Sequence, residues 1–397
     1  MTNWHIITCE YPPQIGGVGD YTKLLSRELR RSGDEVQVWA PAFPAPEEAK
    51  VHRTLGSFAK NDLRQTADLL DRMPKPRTLL VQWVPHGYGR RGINDYFTRW
   101  LASRARQGDR LYLMVHEPYL EPTQTVWKLR FVSWMQRRMI RRLLWSAARA
   151  FISIPAWKNY LRDYSPAGVT FEWLPIPATI SADSDARAVE SIRSRFGKDT
   201  LLIGHLGTYS SEIRRLLQPA LLKTLREVPN SSALLLGNNG DVFARELHST
   251  APTVANRIHG AGLLSDAELA SHIAACDVAL QPYPDGLSSR RTSLMNLISR
   301  GVPVVSNLGH LTEPVWTDSN AIALSSTGEA TQLAALCKQL LQDNDRRCEL
   351  AKKARYLYRT RFDWPNIVAT LRSSADIARY AAASTSSNQA DDKPQLK

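Results

Sequence analysis

The hydrophobic positions of this chain fall into short continuous runs separated by longer stretches of helical period. In the first half the apolar runs are HIITC, EVQVWA, TLLVQWV, RLYLMVHE, AFISI and VTFEWLP. In the second half they are TLLIGHLG, SALLLGN, RIHGAG, DVALQPY, PVVSN and AIALS. Short runs bounded by Gly, Pro and polar turns read as strands buried on both faces, and the amphipathic stretches between them read as covering helices. This rhythm occurs twice, so the pattern predicts an α/β protein with two Rossmann-like domains, each a parallel sheet wrapped on both faces.

The seam is a loss of period. LPIPATISADSDARAVES carries Pro, Ser and Asp without apolar spacing, which places a linker near 175–190. The expected domains are 1–178 and 179–362. A last helix is expected over 363–382, starting with Asp363 as N-cap, and the small, polar tail 383–397 reads as disordered.

Composition narrows the class. The chain has 397 residues, 43% apolar and 22% charged, which is ordinary for a globular protein with a sizeable core. A net charge of +13 admits acidic small molecules, anionic membrane surfaces and nucleic acid as partners. The cysteines Cys9, Cys276, Cys337 and Cys348 are scattered, with no Cys-x-x-Cys pair and no His grouping, so neither a zinc site nor a disulfide framework is expected and a reducing cytoplasm fits. The opening MTNWHIITCEY reads as a first strand rather than a secretory leader, and no run is long enough to span a membrane.

Two stretches carry candidate chemistry. In EYPPQIGGVGDYTKLL a strand gives way to prolines, then Gly16, Gly17 and Gly19, then a helix. A helix N-terminus behind a glycine turn is an anion site, because its first amides are unpaired and the glycines let a ligand approach the backbone. The spacing is not that of the dinucleotide fingerprint. In CDVALQPYPDGLSSRRTSLMNLISRGVPVVSN a strand ends near Pro282. A polar loop follows, and Arg290 and Arg291 stand at a helix start. Arginine forks match phosphate oxygens bidentately. Neighbouring helical residues point about 100° apart, so one of the two is expected to reach the phosphate. The count cannot choose between them.

Together, in order, these motifs resemble the GT-B glycosyltransferases of retaining family 4. YPPQIGGVGDYTKLLSREL with GDEVQVWAP resembles that family's opening strand, loop and helix. GLLSDAELASHIAACDVALQPYPDG with SLMNLISRGVPVV resembles its donor-domain signature. The resemblance covers nearly the whole chain, to a last helix near FDWPNI that returns to the first domain. It implies a first domain that takes the acceptor, a second that takes a nucleotide-diphosphate sugar, and no metal or other cofactor.

On that resemblance the donor-binding residues are Gly16, Gly17, Gly207, Thr208, Tyr209, Gly237, Ser288, Ser289, Arg290, Arg291, Thr292, Ser293 and Asn296. Two family features are missing. The family's paired glutamates fall by count on Ser288 and Asn296, leaving Asp285 of Asp-Gly as the nearest acid. The usual basic pair after the first strand of the second domain is replaced by His205, Thr208 and Tyr209. The catalytic candidates are His116, at the end of a strand, and Asp285. His86, Tyr88, Arg90 and Glu117 are acceptor candidates on strand-end loops.

Residues 123–149 contain seven Lys or Arg and no acid, mixed with Trp127, Phe131, Trp134 and Leu144. A basic amphipathic helix with tryptophans suits an anionic membrane surface, and its apolar side also suits packing on its own domain. The resulting expectation is a cytoplasmic glycosyltransferase, peripheral on the membrane, acting on a glycan or lipid-linked acceptor. A nucleotide-sugar epimerase, a basic polyanion-binding protein and an inactive scaffold are the rival readings.

Overall fold

The computed structural model describes residues 1–46, 48–121, 126–180, 183–197 and 199–373. The chain forms two compact units, Met1–Leu174 with Ile367–Lys397, and Pro175–Asn366. The expected tail and the second half of the expected last helix lie outside the described residues.

The first unit is built on β1 (Asn3–Ile7), β2 (Glu35–Trp39), β3 (Val51–His52), β4 (Thr78–Trp83), β5 (Arg110–Val115), β6 (Arg149–Ile152) and β7 (Phe171–Trp173). All pair in parallel in the order β3-β2-β1-β4-β5-β6-β7. The short β3 was not legible as a run. Central β4, TLLVQW, is buried at every position because helices cover both of its faces. The helix Gly17–Arg31 follows β1. It buries Tyr21, Leu24, Leu25 and Leu29 on one stripe and ends on Arg30 and Arg31, which suit the negative end of its dipole.

A buried ion network closes the N-terminal edge of β4 and β5. Arg77 Nε donates to Asp109 Oδ1 over 2.7 Å, and Arg104 Nε donates to Asp109 Oδ2 over 2.7 Å. Arg104 Nη2 also reaches the half-exposed Asp71, at 2.8 Å. The last described helix, Trp364–Arg372, ends against β6. Arg149 donates to Leu371 O and Ser373 O and pairs with Glu172, so one guanidinium satisfies carbonyls that a helix C-terminus leaves open. At its start Asp363 Oδ1 accepts from Trp364 N.

The second unit carries β8 (Leu201–Leu206), β9 (Ser231–Leu236), β10 (Ile258–Gly260), β11 (Val278–Leu280), β12 (Val304–Asn307) and β13 (Ala323–Ser325), all parallel in the order β10-β9-β8-β11-β12-β13. Its core joins the strands to the helices Ser211–Glu227 and Ala330–Gln342 through Leu217, Leu221, Leu225, Leu333 and Leu340. Among the described residues no helix is long and apolar enough to cross a membrane, and no group of His, Cys, Asp or Glu could hold a metal.

Candidate functional site

Each sheet reverses its strand order at one point, between β1 and β4 in the first unit and between β8 and β11 in the second. Outside the C-terminal ends of strands at such a reversal the connections leave in opposite directions and open a crevice, the usual ligand position of an open α/β sheet.

In the second unit this edge is tightly organised. Gln281, just past β11, donates from Nε2 to Leu206 O over 2.6 Å and accepts from Leu206 N at 3.2 Å, tying the two strand ends together. His205 Nδ1 lies 2.8 Å from Leu280 O and so carries the proton. Beside them Gly237 has φ +96°, and a Cβ there would lie 2.5 Å from Gly207 O, so only glycine fits. Thr208 is exposed at the rim.

Arg290 and Arg291 meet at the same place. Arg290 Nη2 lies 2.9 Å and Arg291 Nη2 3.1 Å from Asp285 Oδ2. The Arg291 guanidinium also stacks 4.9 Å from the Tyr283 ring centroid. The helix behind them starts only at Thr292, and Arg291 has extended backbone at its N-cap. The 100° separation of helical neighbours therefore does not apply, and both forks converge on one carboxylate. Two guanidinium groups thus share the Asp285 carboxylate at the strand ends.

The loop that carries them is held from behind. Asp285 O accepts from Leu311 N, and Leu287 N donates to Asn307 O over 2.9 Å. Gly286, with φ +85°, passes so close to Gly309 that a Cβ would lie 2.2 Å from Gly309 N. Ser293 Oγ bonds Tyr283 OH at 2.9 Å and accepts from Gln281 Nε2, while neighbouring Thr292 is half-buried at the helix start. Glu313, which the sequence reading passed over, is buried and accepts from Ser289 N at 2.9 Å, from Ser289 Oγ, and from Trp316 Nε1 at 2.8 Å. Burial raises its carboxyl pKa. The only sequence signal for it is an acid just after a strand end.

Several expected ligand residues have other work. Both ends of the Asn296 carboxamide are used: Oδ1 accepts from Thr179 N and Ile180 N at 2.9 Å, and Nδ2 donates to Thr179 Oγ1. It fixes the segment that enters the second unit, so the carbonyl end expected to meet a ribose is already engaged. Ser289 is spent on Glu313, and Ser288 is buried. Tyr209 is buried, and its hydroxyl donates to Leu236 O, so it ties β9 to the loop after β8.

In the first unit the glycine loop does hold an anion, but the protein supplies it. Glu10 Oε1 accepts from Val18 N at 2.9 Å and Gly19 N at 3.0 Å, at the amide end of the helix. Gly16 makes room for this carboxylate, since a Cβ there would lie 2.1 Å from it. That packing replaces the ligand role expected of Gly16. Gly17 has open space where a Cβ would stand.

Tyr88 is also corrected. It is fully buried, stacked between Trp83 and Phe97, and donates to Gln82 O over 2.6 Å, so it packs the core instead of meeting an acceptor. His86 and Glu117 do come together, 4.0 Å apart with both side chains well exposed, and Arg90 is exposed nearby in sequence. His116 is buried between Gln82 and Tyr21; its Nε2 lies 2.7 Å from Gln82 Oε1, so the ring donates there. Burial lowers its pKa to about 3. At neutral pH it is an uncharged hydrogen-bonding group and has no imidazolium proton to give.

Three buried rings make stability depend on acid. From an ordinary value of 6.5, burial lowers His5 to about 4, His116 to about 3 and His205 to about 4. Each ring stays neutral in the fold where the unfolded chain already binds a proton. The stability this contributes is whole above pH 6.5 and is lost as pH falls toward those lower values. We expect urea-unfolding free energy to drop on acidification below pH 6.5, by up to about 1.4 kcal/mol per pH unit for each ring. A flat profile down to pH 4 would contradict the buried, neutral assignment.

No protein-family model matches the chain. It is 24% identical over 414 aligned positions to an MMP α-(1→4)-mannosyltransferase of Mycolicibacterium hassiacum, spanning 92% of this chain and 96% of that one. Among solved structures it matches sucrose-phosphate synthase from Thermosynechococcus elongatus with a TM-score of 0.71 at 14% identity, covering 97% of this chain and all of the other. It also matches Anabaena HepE, solved with UDP and glucose, with a TM-score of 0.67 at 15% identity, covering 96% of this chain and 100% of that one. The fold, two parallel-sheet α/β domains, is therefore that of the GT-B glycosyltransferases.

Proposed function

We propose that this chain, built on the GT-B fold, is a glycosyltransferase that moves a sugar from a nucleotide-diphosphate donor to a glycan or lipid-linked acceptor. The observation that carries the reading is the convergence of Arg290 and Arg291 at the strand reversal of the second unit. The glycosidic bond breaks with charge building on a nucleotide diphosphate. Preorganised cations aimed at that charge lower the barrier, because they need not reorganise as it develops. Asp285 keeps the two forks together before the donor arrives. The amides at the start of the helix Thr292–Ser299 add donors to the same place. Gly207 and Gly237 keep the floor free of side chains, and Thr208 is the hydroxyl at its rim.

The finer reading is a retaining, metal-independent transfer. Arginines in place of a metal would neutralise the diphosphate. Asp285 is engaged by both arginines, and we do not assign it as a nucleophile. We therefore assign same-face attack, with the acceptor hydroxyl giving its proton to the departing phosphate oxygen. His86, Glu117 and Arg90 form the acceptor-facing group of the first unit, and neutral His116 acts as a hydrogen-bonding partner. The mannosyltransferase relative and the UDP and glucose bound to HepE support the donor class.

A thermal-shift panel of UDP-, GDP-, ADP- and dTDP-sugars tests this. A ligand at about 100 times its dissociation constant adds about 2.7 kcal/mol of stability. We expect one nucleotide series to shift the transition, and transfer to require an added acceptor. No shift with any of them would overturn the donor reading. Turnover of donor to an epimer without acceptor would replace it with epimerase activity.

A further inference from the structure

We propose that the outer face of the helix Trp127–Ser146 is a docking surface for an anionic lipid membrane. The inference stands on that face alone and is independent of the donor reading. The helix divides cleanly. Ser133, Gln136, Met139, Ile140, Leu143 and Leu144 are buried against the first unit, where Gln136 accepts from Leu120 N and Ser133 donates to Leu120 O. Packing on its own domain therefore uses one side. The other side presents Trp127, Phe131, Trp134, Arg138, Arg141 and Trp145, all exposed. Their spacing of four, three, four, three, four makes one straight stripe along the helix.

The stripe is unusual for a face meant for water. Trp127 is 71% exposed, Phe131 51%, Trp134 50% and Trp145 60%. Single exposed hydrophobics are normal, but a contiguous aromatic patch marks an interaction surface. Tryptophan in particular sits at the headgroup level of a bilayer, with its ring in the apolar boundary and its N–H in the wet layer.

Charge chooses the occupant. The helix carries Lys128, Arg130, Arg137, Arg138, Arg141 and Arg142 and no acid. Three of these have partners within the protein, since Arg142 and, more loosely, Arg138 pair with Asp95 and Arg137 donates to Tyr164 OH, while Lys128, Arg130 and Arg141 are exposed. Lys128 lies over the Trp127 ring and Arg141 over the Trp145 ring, so cations and aromatics share one surface. Asp95, the partner of Arg142, also lies 4.0 Å from Arg138. A cationic, aromatic helix face lying flat is the form that enters an anionic headgroup layer without crossing it.

The test is co-sedimentation of the full chain with vesicles of phosphatidylcholine alone or mixed with phosphatidylglycerol. We expect binding to the mixed vesicles only, weakened by salt, with a blue shift of tryptophan fluorescence. Because a net charge of +13 could bind any anionic vesicle, the variants decide. Removing a basic residue near the surface weakens binding about fivefold, so R138Q/R141Q should weaken it about twenty-five-fold. The triple variant W127S/F131S/W134S should abolish the blue shift and most of the binding. Circular dichroism should stay as in wild type, because these side chains are exposed. Binding that survives the triple variant, or none to either vesicle, overturns the proposal. So does self-association of the lipid-free protein that the triple variant removes, which would make the face a protein interface.

Discussion

Replacing either Arg290 or Arg291 by alanine weakens sugar-nucleotide binding about ten- to hundredfold, since a hydrogen bond to a charged group is worth roughly 1.5–3 kcal/mol. Sequence spacing alone would assign the loss to one of them. The proposed clamp assigns it to both, because both precede the helix and both end on Asp285 Oδ2. Lysine at either position should restore only part of the affinity, as it brings charge without the planar fork. Arg291 should show the larger loss with lysine, because an ammonium cannot reproduce the guanidinium stack on Tyr283. Calorimetric titration with the donor that the thermal-shift panel identifies measures all four variants, and unchanged unfolding midpoints certify their folds. If both alanine variants bind like wild type, the diphosphate lies elsewhere. The basic groove along the helix Ser211–Glu227, lined by Arg215, Lys223 and Arg226, is then the next place to look.

The second large effect is on stability. Asp109→Ala should cost about 3–5 kcal/mol, the usual result of leaving a buried charge without its partner. Asp109 is fully buried, and the two guanidinium groups it holds are 1% and 2% exposed. Asp71 compensates in part, but its side chain is 55% exposed and reaches them from the rim. A loss of that size is a large share of a domain's typical 5–15 kcal/mol. Asp109→Asn retains an acceptor and should cost less. The network lies at the N-terminal ends of β4 and β5, away from the edge where ligands bind. What remains folded should therefore bind donor normally. Urea unfolding and donor titration of the same variant separate the two. A destabilisation under about 1 kcal/mol would rank the network with exposed surface pairs.

What the sequence determined by itself is the fold. Alternating apolar runs and amphipathic stretches dictate parallel strands covered by helices, because a central parallel strand must be apolar throughout. Strand ends followed by Gly, Ser and Arg mark where backbone amides and cations gather, and Asp285, Arg290 and Arg291 do stand together at such an end. The basic, tryptophan-rich helix was legible too, though not which of its faces would be left in water.

Only the tertiary structure decided which polar groups are already taken. Glu10 takes the amides of Val18 and Gly19 at the glycine loop, and Thr179 and Ile180 engage the carbonyl of Asn296. Tyr88 and Tyr209 turn into the interior, and Glu313, distant in sequence, becomes the partner of Ser289. Hydrogen-bonding capacity is local and can be read from residue type. Whether it is spent depends on what the fold brings within 3 Å, and partners from distant parts of the chain meet only when the sheets close and their loops pack.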